Sequence, residues 1–422
     1  MAAIEGSPTN SWVLLKRRIY IEHEASETGG ESSIVAAKRG VRSRQDIAEA
    51  NLAYLRILKP DARFADPPEL SSLRILRPTE SIPGLCGNIT SAYVASADRN
   101  LVALFAGPYR PGSNLQGGYL IYDASRNSLS TIPQPPYDHD RLGVGGGAVV
   151  MCLEDGGYVL AELAKVRAPN PTEAVLCTWQ SSTSNWVVTK AAGFPSELCY
   201  PYRLFQVDTC FAFRGSSLCW VDLSKGMVVC DLRAVIQHGA VPEFRFVPLP
   251  GECPAYDFVQ MHERLLKPWE FCSMACIGGS IKFVTMDGYG ERPGSEVTMT
   301  VWTLSPDLCS WKKGVMYHVR DIWASESHLS RGLVQALPSF PVLSVDEDDV
   351  VYLSFTDLDV TVEGRVELKG QYLLRVDMQH NKVSHHPKSR EEMPSQPFQS
   401  VILASECRDV MIEVLNKTTF AF

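Results

Sequence analysis

Three histidines near the end of the chain have types and spacings that could bind a metal ion. His380, His385 and His386 lie close to Asp377. Adjacent residues of an extended chain point to opposite faces, so His385 and His386 rarely share one ion. The sequence also has no H-E-x-x-H motif. We therefore predict no metal site at these histidines.

A glycine-rich run, Gly143-Val-Gly-Gly-Gly147, has the composition of a phosphate-binding loop. Such a loop needs Gly-Lys-Ser/Thr at the start of a helix, so that backbone amides and a lysine meet the phosphates. Here the run continues into Ala148-Val-Val-Met-Cys152, which is a strand pattern. We predict a flexible loop or a close contact between strands.

No other group of residues indicates catalysis. There is no G-x-S-x-G elbow, and no Ser, Cys or Asp has the partner spacing of a nucleophile. Cys272 and Cys276 have a spacing that some metal sites use, but no second pair accompanies them. The acidic run Asp346–Asp349 lacks the glycine and spaced oxygens of a cation loop and is predicted to be a solvated turn. We predict a protein that is not an enzyme and has no cofactor.

One basic cluster lies in the polar segment that follows the first strand pattern. It consists of Lys38, Arg39, Arg42 and Arg44. Short basic runs in mobile segments serve as nuclear-import or partner-docking signals, although a solvated loop has the same composition. Both interpretations stay open. The cluster is the candidate interaction segment of the sequence.

Composition limits the partners and the compartment. The chain has 422 residues, 45% hydrophobic and 21% charged, with a net charge of −8. This balance argues against binding nucleic acid or anionic membranes, which both need a basic excess. No signal peptide or membrane-spanning apolar run is present, and the twelve cysteines form no C-x-x-C pair. We expect reduced core thiols, a cytoplasmic or nuclear location, and a monomer.

The segment from Gly215 to Arg233 gives the clearest structural pattern. Leu218 and Trp220 lie on one β-prone run and Met227–Val229 on the next. Between them, Asp222 can accept a hydrogen bond from the backbone two residues on, and Gly226 fits a position of positive φ. The segment is predicted to be a β-hairpin.

The same strand–turn–strand pattern recurs along the chain. Its turns lie near residues 123, 181, 222, 306 and 378, at intervals of roughly 58, 41, 84 and 72 residues. A four-stranded propeller blade takes about 40 to 50 residues. We predict an all-β fold, a degenerate β-propeller-like repeat of short antiparallel hairpins with five to seven blades. The alternative is a large two-sheet β-sandwich array.

A change of period before the repeats predicts one short N-terminal helix. Ile47, Leu52, Leu55 and Leu58 are spaced mostly by three, and Asp46 can cap the start. We expect this helix to pack on the main body. We divide the chain into residues 1–85, with a strand, a mobile polar segment and the helix, and residues 86–422, the propeller-like domain.

The hairpin segment also carries a family resemblance. With Trp220, Asp222, Gly226, Cys230 and Asp231, it resembles the plant proteins, most numerous in grasses, that carry the domain of unknown function DUF1618. The resemblance implies a plant source and a β-rich, propeller-like body, in which these five residues are structural. The family has no assigned activity, so no catalytic residue is implied.

Repeated hairpins without a catalytic group favour an interaction protein. We expect a non-enzymatic scaffold whose rim loops hold a protein partner, unidentified from sequence. The alternative is an enzyme or small-ligand binder that uses the central channel of the propeller.

Overall fold

The computed structural model describes residues 12–24, 44–78, 89–107, 117–136, 141–166, 173–199, 205–253, 266–360, 366–388 and 402–406. These residues are mostly in β-strands. Within them, no helix has both the length and the apolar character needed to cross a membrane.

The first sheet combines strands from both ends of the described chain. In spatial order it contains β25 (Ile402–Glu406), β1 (Trp12–Lys16), β4 (Leu70–Arg77), β2 (Arg18–His23), β5 (Ser91–Asp98), β6 (Leu101–Ala106), β7 (Gly118–Asp123) and β8 (Ser128–Pro133), with β3 (Lys59–Arg63) paired to β4. Strand β25 runs antiparallel to β1, whereas β1 and β2 both run parallel to β4.

The other four sheets share one plan, in which four consecutive strands each run antiparallel to the next. The second sheet contains β9 (Arg141–Cys152), β10 (Tyr158–Val166), β11 (Ala174–Gln180) and β12 (Asn185–Lys190), and the third contains β13 (Thr209–Phe213), β14 (Ser217–Asp222), β15 (Gly226–Asp231) and β16 (Arg245–Pro248). The fourth sheet contains β17 (Cys272–Ile277), β18 (Ser280–Asp287), β19 (Thr298–Leu304) and β20 (Trp311–His318). The fifth contains β21 (Ser339–Leu343), β22 (Val350–Val360), β23 (Val366–Asp377) and β24 (Lys382–Pro387).

The sheets form a closed ring. Blade one is β25, β1, β4 and β3; blade two is β5 to β8; and blades three to six are the four remaining sheets in order. The first strand of each blade contacts the next around the ring, in the order β5, β9, β13, β17, β21, β25 and back to β5. This arrangement is the predicted propeller-like fold, with six blades among the described strands, rather than the two stacked layers of a sandwich.

Apolar clusters fill each gap between neighbouring blades. The clusters join Ile75 of blade one to Leu104 of blade two, Phe105 of blade two to Leu160 of blade three, Leu176 of blade three to Trp220 of blade four, Val229 of blade four to Phe283 of blade five and Leu353 of blade six, and Tyr352 of blade six to Trp12 of blade one. One blade cannot bury its own apolar face, so the ring as a whole forms the core.

The irregular turn spacing has a topological cause. The turns near residues 123, 181, 306 and 378 each join the third and fourth strands of a blade, whereas the turn at Asp222 joins the second and third strands of blade four. In blade four the equivalent third-to-fourth connection contains a helix, α2 (Leu232–His238). One of the five predicted repeats is therefore out of phase with the others.

The helix predicted over residues 46–58 is confirmed as α1 (Arg44–Arg56). It packs on β7 and β8, and Leu55 is buried in the cluster between blades one and two. Because α1 begins at Arg44, Asp46 lies in its first turn rather than ahead of it, so the predicted cap is wrong. The Tyr54 hydroxyl donates to the carbonyl of Ile89 at 3.3 Å.

The chain also forms short helices that were not predicted from the sequence. Besides α2, the chain forms α3 (Val319–Ala324) and α4 (Glu326–Leu329), and single 3₁₀ turns at Ser196–Leu198, Pro268–Glu270 and Gly294–Glu296. These segments are too short to show a helical period. Helix α2 is defined by its ends instead, since Asp231 caps its start and Gly239, at φ +61°, follows its last residue.

The first strand pattern, predicted to be continuous from Trp12 to Ile21, is two strands. The chain breaks at Arg17, whose carbonyl accepts a hydrogen bond from the Val94 amide at 2.8 Å. Strand β2 then pairs with β5, so strands from both sides of the proposed boundary at 85/86 share one sheet. The division into two domains stays a prediction.

Candidate binding face at the hairpin turns

The basic cluster of the sequence lies almost wholly outside the described residues. Lys38, Arg39 and Arg42 are not described, and Arg44 is the first residue of α1, with its side chain outside the described part. The predicted interaction segment therefore stays a prediction.

The hairpin at Asp222 has the predicted local structure. Oδ1 of Asp222 accepts from the Ser224 amide at 3.0 Å, and Oδ2 accepts from the Gln206 amide at 3.0 Å. Gly226 has φ +143°, and a Cβ there would lie 2.3 Å from the Val247 carbonyl oxygen. Glycine is required at this position by both conformation and space.

The other residues of the hairpin motif are also buried or capping. Trp220 is fully buried, and its indole Nε1 donates to the Gly147 carbonyl of blade three at 3.3 Å. Cys230 is buried, and the Asp231 carboxylate accepts from the amides of Arg233 and Ala234 at 2.9 and 3.4 Å. The motif holds blade four together and joins it to blade three.

The glycine-rich run forms the start of β9 rather than a phosphate loop. A Cβ at Gly147 would lie 2.4 Å from Sγ of Cys210 on the neighbouring inner strand. The predicted close contact between strands is thus present at Gly147.

The histidines near the end of the chain have separate surroundings. His380 Nδ1 lies 3.0 Å from both Asp377 carboxylate oxygens, within one exposed turn. His386 Nε2 lies 3.0 Å from Ser384 Oγ. His385 is buried elsewhere, against helix α4. Among the described residues, no group of three or more His, Cys, Asp or Glu side chains could hold a metal ion.

A buried hydrogen-bond chain joins α4 to the outer strand of blade six. Ser327 Oγ donates to the Val383 carbonyl at 2.7 Å and lies 3.0 Å from His385 Nδ1. His385 Nε2 lies 3.2 Å from Nδ1 of His328. Because the Ser327 hydroxyl donates its one proton to a carbonyl, His385 donates from Nδ1 and accepts at Nε2 from His328. Because its Nε2 accepts, the His385 imidazole is neutral in this arrangement. No sequence spacing could have linked His328 to His385.

The centre of the ring is filled where blades two, three and four meet. Ser96 Oγ donates to the Ala148 carbonyl at 2.9 Å and accepts from the Val150 amide at 2.8 Å. Cys210 Sγ lies 3.5 Å from the Ala95 carbonyl oxygen and 3.6 Å from that of Ala148. Burial raises the pKa of the Cys210 thiol to about 12, so the thiol stays protonated. Here the inner strands bond to one another directly.

One face of the ring carries the turns between the first and second strands of blades two to six. We call it the turn face; its turns are residues 99–100, 153–157, 214–216, 278–279 and 344–349. The ends of β5, β13, β17 and β21 converge there around a cavity of about 230 Å³, which we call the axial pocket. Phe211, Met274 and Leu343 supply apolar walls, and the exposed Arg99 and Arg214 line its mouth.

A second cavity adjoins the axial pocket on the same face. It has a volume of about 490 Å³, lies between blades two and three, and is called here the side cleft. Its lining includes the hydroxyls of Ser128, Ser130 and Tyr158 and the guanidinium of Arg126. Arg99 lines both cavities, so the axial pocket and the side cleft adjoin, and we call the two together the groove.

The carboxylates closest to this groove are engaged within the protein. Asp98 Oδ2 accepts from the Cys152 amide at 2.7 Å. Asp123 Oδ1 accepts from Asn100 Nδ2 at 2.7 Å and from the Ser125 amide at 2.9 Å. Hydrogen bonding satisfies these negative charges locally and holds the turns in place.

Among the described residues, no strong ion pair occupies the arginines of the groove. Arg126 Nε is 3.7 Å from Asp123, and its side chain is 81% exposed, a geometry that binds weakly. Arg214 Nη1 donates to the neutral carbonyl of Pro306 at 3.1 Å, and its guanidinium stacks 4.8 Å from the Phe213 ring centre. Within the described residues, no carboxylate forms an ion pair with Arg99 or Arg214.

The acidic turn Asp346–Asp349 stands across the axial pocket from the arginines. It is solvent-exposed at Asp346, Glu347 and Asp348, as predicted. Glu347 forms an ion pair with Arg375, and Asp348 forms one with Lys282. The turn face therefore carries the groove arginines beside blades two and four, and exposed carboxylates beside blade six and, at Glu154 and Asp155, beside blade three.

A family match covers most of the hairpin motif and the blade that follows it. Residues 220–352 match the family described as "Protein of unknown function (DUF1618)". The chain carries a DUF1618 region. This region begins at Trp220, within the hairpin that prompted the resemblance, and runs through blade five into blade six. No curated protein matches the chain.

Solved structures similar to the chain include three proteins of low sequence identity. The β-propeller domain of the Trilobed protease from Pyrococcus furiosus is 11% identical, with a TM-score of 0.32, over 71% of this chain and 72% of that one. A prolyl endopeptidase is 11% identical, with a TM-score of 0.35, over 82% of this chain and 52% of that one. The α-L-arabinanase of Penicillium chrysogenum is 12% identical, with a TM-score of 0.32, over 62% of this chain and 75% of that one. These likenesses carry no activity to this chain.

Proposed function

We propose that the chain is a non-enzymatic protein-interaction scaffold whose partner binds on the turn face. One observation carries this proposal: the axial pocket and the side cleft adjoin at Arg99 on one face of the ring. Arginine and tyrosine are enriched among the residues that dominate binding energy at protein interfaces, and Arg99, Arg126, Arg214 and Tyr158 all line this groove.

The alternative is an enzyme or small-ligand binder that uses the central channel. One feature favours the scaffold over it. The inner strands of blades two to four bond directly across the centre, through Ser96 and Cys210, and so occupy the place where a central channel would lie.

Three further elements of the proposal rest on the sequence. The DUF1618 resemblance implies a plant source. The composition favours a reducing cytoplasmic or nuclear environment, and we propose that the scaffold is a monomer there. The basic cluster Lys38, Arg39, Arg42 and Arg44 is a second candidate interaction segment, distinct from the groove.

The test is affinity purification from leaf extract with quantitative mass spectrometry. Four tagged forms are compared: wild type; a groove variant with Arg99→Asn, Arg126→Gln and Arg214→Asn; a control variant, Arg320→Gln; and a form with Lys38, Arg39, Arg42 and Arg44 replaced by Ala. Arg320 is an exposed arginine of α3, away from the turn face.

We expect to recover a partner protein whose yield falls at least about tenfold with the groove variant and is unchanged with the control variant. That protein must then bind the purified chain directly. A yield that falls only in the form with four alanines would instead assign recognition to the N-terminal segment. If every form recovers the same proteins at the same yield, the turn face is not the binding surface.

A further inference from the structure

We propose that the groove on the turn face binds an extended acidic peptide segment of the partner protein. One apolar side chain of that segment enters the axial pocket, and carboxylates on either side of it pair with Arg99 and Arg214. The inference rests on the proposed function and adds the chemistry of the ligand.

The apolar part of the ligand follows from the pocket walls. Phe211, Met274 and Leu343 come from three different blades and enclose a volume that suits one side chain of about leucine or phenylalanine size. Transfer of such a side chain from water into the pocket is favourable, and the pocket is too small to admit a folded element. The shape therefore selects an extended chain with a single apolar anchor.

The acidic part follows from the two arginines at the mouth. Arg99 and Arg214 are both exposed, and neither pairs with a carboxylate among the described residues. A guanidinium presents a planar fork of donors that matches a carboxylate bidentately. Carboxylates one or two residues from the anchor are in position to meet these forks.

The backbone conformation at Arg99 and Arg214 indicates that these arginines have a role besides forming their turns. Arg99 has φ +51° and Arg214 has φ +52°, a left-handed region that favours glycine or asparagine. The two-residue turn at Arg99–Asn100 and the wider turn at Arg214 would both form more easily with asparagine there. Arginine at these positions adds charge to the groove at a cost in backbone conformation.

The acidic turn on the opposite side limits the ligand to a peptide. Asp346 and its neighbours lie beside Leu343 and Val345, which line the axial pocket. A nucleic acid or another long polyanion would meet both these carboxylates and the net charge of −8. A short segment with a few carboxylates can stay on the arginine side and continue into the side cleft, where Arg126 and serine hydroxyls meet it.

The test is fluorescence anisotropy with the full chain and three labelled probe peptides. The first probe is Gly-Ser-Glu-Glu-Leu-Glu-Glu-Ser-Gly. The second has glutamine for every glutamate, and the third has alanine for leucine. We expect saturable binding of the first probe, weakened by added salt, and at least about tenfold weaker binding of the other two.

The protein variants separate the ligand contacts from the fold. Arg99→Asn with Arg214→Asn removes both charges and relieves the left-handed backbone, so it should unfold at the same or higher urea concentration while losing about tenfold or more in affinity. Ala275→Phe fills the axial pocket and should weaken binding of the first probe without weakening that of the alanine probe. Arg320→Gln should bind as wild type.

The outcomes are distinguishable from those of the proposed function. If no probe binds but the groove variant still loses its partner, the turn face binds protein and the acidic-peptide assignment is wrong. If free glutamate or a short organic acid competes as well as the peptide, the site is one for small anions and the peptide assignment is overturned. Equal binding of the glutamate and glutamine probes would also overturn it.

Discussion

We predict that the buried pair His328 and His385 makes the protein less stable in mild acid. Burial, followed by the positive charges of His328, Arg331 and His386, lowers the pKa of His385 to about 4 from an ordinary 6.5. Burial also lowers the pKa of His328, although hydrogen bonds to the backbone of Leu333 and Val334 and the Asp357 charge oppose this. The hydrogen-bond chain through Ser327 requires the His385 ring to be neutral.

The direction of the pH effect follows from these pKa values. Between about pH 6.5 and pH 4 the unfolded chain binds a proton at His385 that the folded chain does not, so stability is full above this window and falls as the pH drops through it. For one site with these two pKa values, the loss at pH 5 is about 2 kcal/mol.

The assay is urea unfolding at about pH 7.5 and about pH 5. The variant His385→Gln cannot gain a proton, and its loss of stability between the two pH values should be smaller by about 2 kcal/mol than that of wild type. His238→Gln, an exposed histidine of α2, is the matched control and should behave as wild type. An equal loss in wild type and His385→Gln would refute the assignment of acid sensitivity to this pair.

Three further predictions concern the hairpin and the thiols. Gly226→Ala should destabilise the protein by about 2 kcal/mol or more in urea unfolding, because the added Cβ would clash with the neighbouring strand and the residue has positive φ. Gly193→Ala is the control, since a Cβ there has nothing within 4 Å; equal effects of the two substitutions would contradict this explanation. Asp231→Ala removes the cap of α2 and should cost about 1 kcal/mol by the same measurement; no change would show that the cap contributes nothing. Cys309 is exposed and should react with a thiol reagent in the native protein, whereas Cys210 should react only on unfolding; native labelling of Cys210, located by mass spectrometry, would contradict the closed ring centre.

The hairpin of blade four could be predicted because its determinants are local. Asp222 and Gly226 fix a turn through contacts within a few residues, and the flanking strands have an unmistakable β composition. The repeat of such units then favours a ring, since each needs neighbours to bury its face. Which two strands of a blade each hairpin contains could not be predicted, because turns between the second and third strands and turns between the third and fourth strands have similar sequences.

The candidate site could not be predicted, because its residues come together only in the folded ring. Arg99, Arg126 and Arg214 belong to turns of two different blades, and no spacing between them is characteristic. The basic cluster at residues 38–44 could be recognised from the sequence because its charged residues are close together along the chain. The closed centre at Ser96 and Cys210 likewise depends on contacts between inner strands far apart in sequence.

The most direct test of the central claim is site-specific photo-crosslinking on the turn face. A photoreactive phenylalanine analogue replaces Ser130, an exposed residue of the side cleft, or Met316, an exposed residue of β20 outside the groove. Each purified form is illuminated with the partner recovered from leaf extract. We expect a one-to-one adduct from the Ser130 position and none from the Met316 position. An adduct from Met316 alone, or equal adducts from both, would contradict the claim that the partner binds in this groove.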